Sequence, residues 1–240
     1  MRLVRGPIVI LRAGDAASPV AARRGEFHEW IVRTVGSAWG GAWEVHDIRT
    51  DAPLPVVEGA AAFVMTGSSS SVTERAPWML RAEAHVREMA RADVPFFGIC
   101  FGHQLAAQAL GGEVAKNARG REIGTIRVKR LAEDAIFEGV GEELAANATH
   151  MDSVTRLPEG ARLLASSEGE PIQAFAVGKA IRGVQFHPEI DGDAMRAYVA
   201  ARAHLIAAEG GDPEAVRVRS TDAPDAAQTL QNFVRAFAAR

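Results

Sequence analysis

The chain has 240 residues, 48% of them hydrophobic, ample for one sizeable core and marginal for two. Its 27 Lys and Arg nearly balance 30 Asp and Glu, and a formal net charge of -3 argues against nucleic acid or an anionic membrane surface as partner. Cys100 is the only cysteine, so no intrachain disulfide is possible, and a lone thiol fits a reducing compartment.

No apolar run approaches the ~18 residues of a membrane span. The segment Met1-Arg2-Leu3-Val4-Arg5-Gly6 lacks the apolar stretch of a secretion signal. The expectation is a soluble cytoplasmic protein. Short apolar runs bounded by turn residues read as buried strands: Ile8 to Leu11, Ala62 to Met65, Pro95 to Ile99 and Ile181 to Phe186. Helical patterns, Gly25 to Val35 and Trp78 to Arg91, separate the first three. Such alternation predicts a largely parallel sheet with helices on both faces.

Gln104 to Leu110 continues as a helix that Gly111-Gly112 ends. Short alternating segments follow: Gly124 to Leu131, Arg162 to Ala165 and Ile172 to Val177. Val177-Gly178-Lys179-Ala180 reads as a hairpin turn into Ile181. An antiparallel portion beside the parallel sheet is therefore expected. Asp193 to Glu209 reads as one Ala-rich helix stopped by Gly210-Gly211; Asp212-Pro213 caps a short new turn, and Asp222 to Ala239 forms a last helix. The expected division is residues 1–190 as the main domain, with 191–240 a helical extension packed on it.

The strongest chemical signal is Gly98-Ile99-Cys100-Phe101-Gly102, set between an apolar strand and a helix. A cysteine beside Phe and Ile is most often a small buried apolar residue. Here the flanking glycines permit a tight strand-to-helix turn that lifts the sulfur clear of the sheet. A helix N-terminus beside it favours the reactive thiolate. The second signal is Gln185-Phe186-His187-Pro188-Glu189. An imidazole takes and returns the thiol proton, and a carboxylate two residues on holds the ring's tautomer.

Together these segments resemble the two signatures of class I glutamine amidotransferases, as in the glutaminase domain of GMP synthase and its stand-alone relatives. The resemblance covers roughly residues 60 to 190. It implies a flavodoxin-like α/β fold of three layers, with a mostly parallel central sheet and a small antiparallel portion. It implies a Cys100, His187, Glu189 triad that hydrolyses the glutamine side-chain amide through a γ-glutamyl thioester and passes ammonia to a synthase or acceptor partner. It further implies an oxyanion hole from the N–H groups of Gly67 and Phe101. Thr66-Gly67-Ser68 departs from the family's usual Gly-Gly-Pro, and a polar surface turn is the other reading of it. The stretch from Thr149 through His150 to Asp152 matches a loop that holds the substrate's α-amino and carboxylate groups, with Ser68 and Gln104 beside it. His150 and Asp152 also read as an ordinary capping pair. His103 is assigned to structure or to support behind the site, outside the triad.

No cofactor is implied, and no cluster has metal-ligand spacing. The ATP-using half of a full GMP synthase has no counterpart in the sequence. Three functions stay open: a glutamine-using amidotransferase, a γ-glutamyl peptide hydrolase, and a non-catalytic regulatory module.

Overall fold

The computed structural model describes residues 6–239. The parallel half of its sheet consists of β1 (Ile8–Arg12), β2 (Trp43–Asp47), β3 (Ala62–Met65) and β4 (Phe96–Ile99). A separate ribbon pairs β5 (Glu113–Lys116) with β8 (Asp152–Arg156). The other half holds β6 (Glu122–Arg130), β7 (Glu143–His150), β9 (Arg162–Ser167), β10 (Ala174–Val177) and β11 (Ile181–Val184). The nine-stranded order is β2-β1-β3-β4-β11-β10-β9-β6-β7. Pairing is parallel from β2 to β11 and antiparallel from there to β7. β11 is the seam between the two halves.

The period-two alternation of strands sends neighbouring residues to opposite faces. Ile8 and Ile10 pack with Ile31 and Val35 of α2 (Phe27–Val35) and with Leu230 and Phe233 of α8 (Pro224–Phe233). Val9 and Leu11 face Met79 and Val86 of α3 (Pro77–Arg91) and Leu105 of α4 (Phe101–Ala109). This gives the expected three layers. A third apolar cluster joins α1 (Ser18–Arg24), the start of α2 and α5 (Gly192–Ala201) through Val20, Phe27, Met195 and Tyr198.

The predicted strands and helices of the first hundred residues are present, and β2 is an addition. Its half-exposed WEVHD sequence carries three polar or charged residues and forms the sheet edge. The hairpin is also present: Val177 pairs with Ile181 across a three-residue turn in which Gly178 has φ 54°. The helix expected over Asp193 to Glu209 is two helices, α5 and α6 (Ala203–Ala208), interrupted at Arg202. Asp212 caps α7 (Pro213–Arg219) through its side chain. The last helix spans α8 and then loosens into a π turn, Val234–Ala238. Among the described residues no helix is long and apolar enough to cross a membrane.

Phe233 is fully buried and packs 5.0 Å from Phe97, centroid to centroid, beneath the strand that leads to Cys100. Phe233→Ala is expected to lower stability by about 3–5 kcal/mol, read by urea denaturation. A loss below ~1 kcal/mol would mean that α8 is not integral to this core.

Candidate active site

Cys100 stands between β4 and α4 with φ 50° and ψ -99°, a conformation rare for a residue with a side chain. Its neighbours explain how the turn fits. A Cβ on Gly98 would lie 2.5 Å from the Gly102 carbonyl, and one on Gly102 would lie 2.8 Å from the Met65 oxygen. Both approaches are closed to any other residue. The Cys100 N–H donates to the Val184 carbonyl (2.9 Å), fastening the elbow to β11.

β11 then delivers the base. Beyond Val184 the chain leaves its parallel register, and the His187 N–H donates to the Asn147 carbonyl on β7 (2.7 Å). The imidazole Nδ1 contacts Glu189 Oε1 at 2.8 Å, with both side chains buried. A carboxylate accepts only, so Nδ1 carries the proton and Nε2 faces the thiol. Nε2 has no hydrogen-bond partner of good geometry among the described residues. Burial alone would lower the His187 pKa, but the charges of Glu189 and Cys100 overcome it and raise the value to about 10. Burial likewise pushes the Cys100 thiol up; the charge of His187 beside it outweighs this and holds it below its usual value. Each group thus favours the charged form of the other.

Gly67 closes the site from β3. A Cβ there would stand 2.9 Å from His187 Cε1 and 3.7 Å from Cys100 Cβ. Thr66 fixes this loop by accepting from the Ala13 N–H (3.0 Å) and donating to the Gly67 carbonyl (3.0 Å). Phe101 opens α4, so its N–H has no partner one turn earlier. Gly67 and Phe101 thus both lie beside Cys100.

The remaining expected residues are near but differently employed. Gln104 donates through Nε2 to the Asp152 carbonyl (2.9 Å) and to Gln185 Oε1 (3.0 Å). The Asp152 carboxylate accepts from Ser71, and Ser68 caps its own turn by accepting from the Ser70 N–H (3.1 Å). The Thr149 hydroxyl is buried and unpartnered among the described residues. His103 is a neutral core ring packed on Phe175; burial lowers its pKa to about 3.

His150 is fully used by the chain. Nε2 meets Glu122 Oε2 at 2.9 Å and Nδ1 meets the Asp152 carbonyl at 3.0 Å. Both partners only accept, so both nitrogens donate and the ring is a cation. Glu122 also accepts from Ser167 (2.6 Å) and Gln173 (2.6 Å). Burial works against the charged ring, but the Glu122 hydrogen bond and the charges of Cys100, Glu122 and Glu170 raise its pKa. A second buried cation thus supports the thiolate.

Glu122, Gln173 and Asn147 stand in no sequence motif, and only the folded pairing of the antiparallel strands reveals their roles. Asn147 donates to the carbonyls of Ile190 (2.8 Å) and Thr221 (3.1 Å) and accepts from the Thr125 hydroxyl (2.7 Å). It ties the His187–Glu189 loop to the segment before α8. Among the described residues, no three His, Cys, Asp or Glu side chains gather as a metal ion requires.

Glu122→Gln keeps the hydrogen-bonding shape and removes the charge. The groups facing His150 are Cys100, Glu122, Glu170 and His103, and losing the Glu122 charge lets the ring deprotonate at lower pH. The midpoint of Cys100 alkylation by iodoacetamide, followed against pH, is expected to rise by ~0.5–1 unit. An unchanged midpoint would show that His150 does not charge the site.

Residues 26–205 match the glutamine amidotransferase class-I family. A glutamine-hydrolyzing GMP synthase subunit of Saccharolobus solfataricus is 34% identical over 167 residues, covering 69% of this chain and 85% of that protein. The corresponding subunit of Archaeoglobus fulgidus is 42% identical over 109 residues, 45% of this chain and 57% of its own length. Gamma-glutamyl peptidase 4 of Arabidopsis thaliana is 31% identical over 179 residues, 71% of this chain and 70% of that one. A crystal structure of a glutamine amidotransferase from Thermotoga maritima superposes with a TM-score of 0.76 at 21% identity, over 97% of this chain and 99% of that one, and shares its fold. With three quarters of its length matched to that family, the chain belongs to the class-I glutamine amidotransferases.

Proposed function

We propose that the protein hydrolyses the side-chain amide of glutamine through a γ-glutamyl thioester on Cys100 and releases ammonia for an acceptor. One observation carries this reading: a cysteine at a positive-φ elbow, facing the free Nε2 of a buried histidine whose Nδ1 is held by a carboxylate. The Cys100 thiolate attacks the γ-carbonyl carbon. The N–H groups of Gly67 and Phe101 hold the oxyanion. His187 gives its Nε2 proton to the departing nitrogen, which leaves as ammonia. His187 next takes a proton from water, the hydroxide opens the thioester, and glutamate departs from the regenerated thiolate. Gln104, Ser68, Thr149 and Asp152 would line the glutamyl pocket. His150, with no free N–H, would supply charge.

The archaeal relatives are named as separate GMP synthase subunits, which supports a distinct synthase chain as partner here. The Arabidopsis relative, named a peptidase, favours a second reading: the same thioester formed from a γ-glutamyl peptide, with an amine as leaving group. The two differ only in what the leaving-group side must accept.

Incubation with a chloroketone analogue of glutamine is expected to add one group to Cys100, seen by intact-mass spectrometry and blocked by excess glutamine. Protection by γ-glutamyl peptides alone would select the second reading. Cys100→Ala is expected to take no label and to lose at least about 10³-fold in kcat/KM. Activity near that of the unaltered protein would sink the assignment, and no thiol reactivity in any condition would leave a non-catalytic module.

A further inference from the structure

The His187 ring is fastened by hydrogen bonding at one atom. Glu189 holds Nδ1 at 2.8 Å, and Nε2, the atom that must serve the sulfur, has no partner of good geometry among the described residues. The torsion between a Cβ and a planar ring is broad, so one hydrogen bond leaves the imidazole room to tilt. Two further neighbours restrict it. Gly67 approaches so closely that a Cβ there would lie 2.9 Å from His187 Cε1 and 3.8 Å from Nε2. The ring of Phe27 stacks on the imidazole, with centroids 6.1 Å apart and planes 25° apart. That spacing falls within the roughly 4.5–7 Å over which aromatic rings attract.

Phe27 opens α2 and is only 5% exposed. Tyr198 of α5 stacks on it at 6.3 Å with planes 21° apart, and Trp30, one turn on, meets it edge to face at 5.4 Å. The helix start that carries it is tied down as well. Glu26 accepts from the Ala16 N–H (2.8 Å), and Glu29 reaches back to the Glu26 N–H (2.7 Å). The Tyr198 hydroxyl accepts from the Ala17 N–H (3.0 Å), which joins α5 to the same loop. Leucine or methionine would satisfy an apolar space of this kind. A flat face laid nearly parallel to the base is what a phenyl ring adds.

We propose that Phe27 is a positioning residue for the base. Its ring sets the plane in which His187 Nε2 meets first the Cys100 sulfur and then the departing nitrogen. This deepens the function proposed above and rests on it for the destination of the proton. Phe27 exchanges no proton and forms no bond in any step. It acts through His187 alone.

The test follows Cys100 alkylation by iodoacetamide against pH, which needs no turnover, beside kcat and KM for glutamine and γ-glutamyl peptides. The charged groups that face the Cys100–His187 pair are Glu189 and His150, and every variant leaves both in place. Phe27→Leu keeps an apolar side chain and removes the flat face. It is expected to raise the alkylation midpoint by ~0.5–1 unit, because a tilted imidazolium supports the thiolate less. Its kcat is expected to fall at least about tenfold, with KM changed less than about twofold. Phe27→Tyr, which keeps the ring, is expected to retain most of both properties. Val20→Ala, which thins the same apolar cluster, is expected to lower stability to urea without moving the midpoint. An unchanged midpoint in Phe27→Leu, or an equal shift in Val20→Ala, would overturn the proposal. If Phe27→Leu does not fold, the unaltered protein decides: nuclear Overhauser contacts between the ring protons of Phe27 and His187 support the proposal, and their absence overturns it. If Phe27→Leu moves the midpoint but the unaltered protein hydrolyses neither substrate class, the proposed function fails and the Phe27 assignment stands. Hydrolysis that Phe27→Leu leaves unaltered keeps the function and removes the assignment.

Discussion

A thiolate and an imidazolium buried side by side cost more in lost hydration than they return, unless the remaining polar atoms around them are satisfied. Most of the local architecture answers that demand. Glu189 takes the second ring proton of His187 at 2.8 Å. Asn147 holds the backbone that carries both. His150 adds a second positive charge, itself compensated by Glu122, which three donors surround. A change at Glu122, which lies in β6 and touches neither Cys100 nor His187 by any hydrogen bond, therefore still reaches the sulfur as an electrostatic effect.

The sheet explains how such distant residues meet. In a parallel sheet the carboxyl ends of the strands open onto one crevice. Thr66, Gly67 and Cys100 follow the ends of β3 and β4, and the His187 loop follows β11. The antiparallel half brings back along the other side the strands that carry Glu122, Asn147 and His150. Because β11 pairs in parallel with β4 and antiparallel with β10, the base sits where the two halves join.

The elbow was legible because its chemistry is local. Gly98, Cys100 and Gly102 lie within one turn, and the contacts that exclude a Cβ follow from that turn and the strand beside it. His187 and Glu189 were legible for the same reason. What escaped depends on partners far away in sequence. Glu143–His150 contains three alanines and reads as much like helix as strand, and eight residue pairs with β6 decide the matter. The Asp193 to Glu209 pattern carries no Gly or Pro at its break. The interruption arises where α5 and α6 must both pack Val199 and Ile206 into the cluster around Tyr198. The pocket residues were named from the family resemblance, yet His150 and Gln104 spend their N–H groups on the protein itself, which no local motif discloses.

The hydrogen bonds of Asn147 carry a consequence for the order in which the molecule is made. The nucleophile and its elbow leave the ribosome early, and the loop with His187 and Glu189 follows much later. That loop is fastened through Asn147 to the Thr221 carbonyl, and Gly192 just beyond it donates to Asp222 (2.9 Å). Both partners immediately precede α8, whose Leu230 and Phe233 complete the layer beneath β4. A growing chain therefore holds its thiol long before it can hold the base rigidly against it. The segment that locks the His187 loop thus follows it in the chain, and the loop is fastened only once Thr221 and Asp222 are in place.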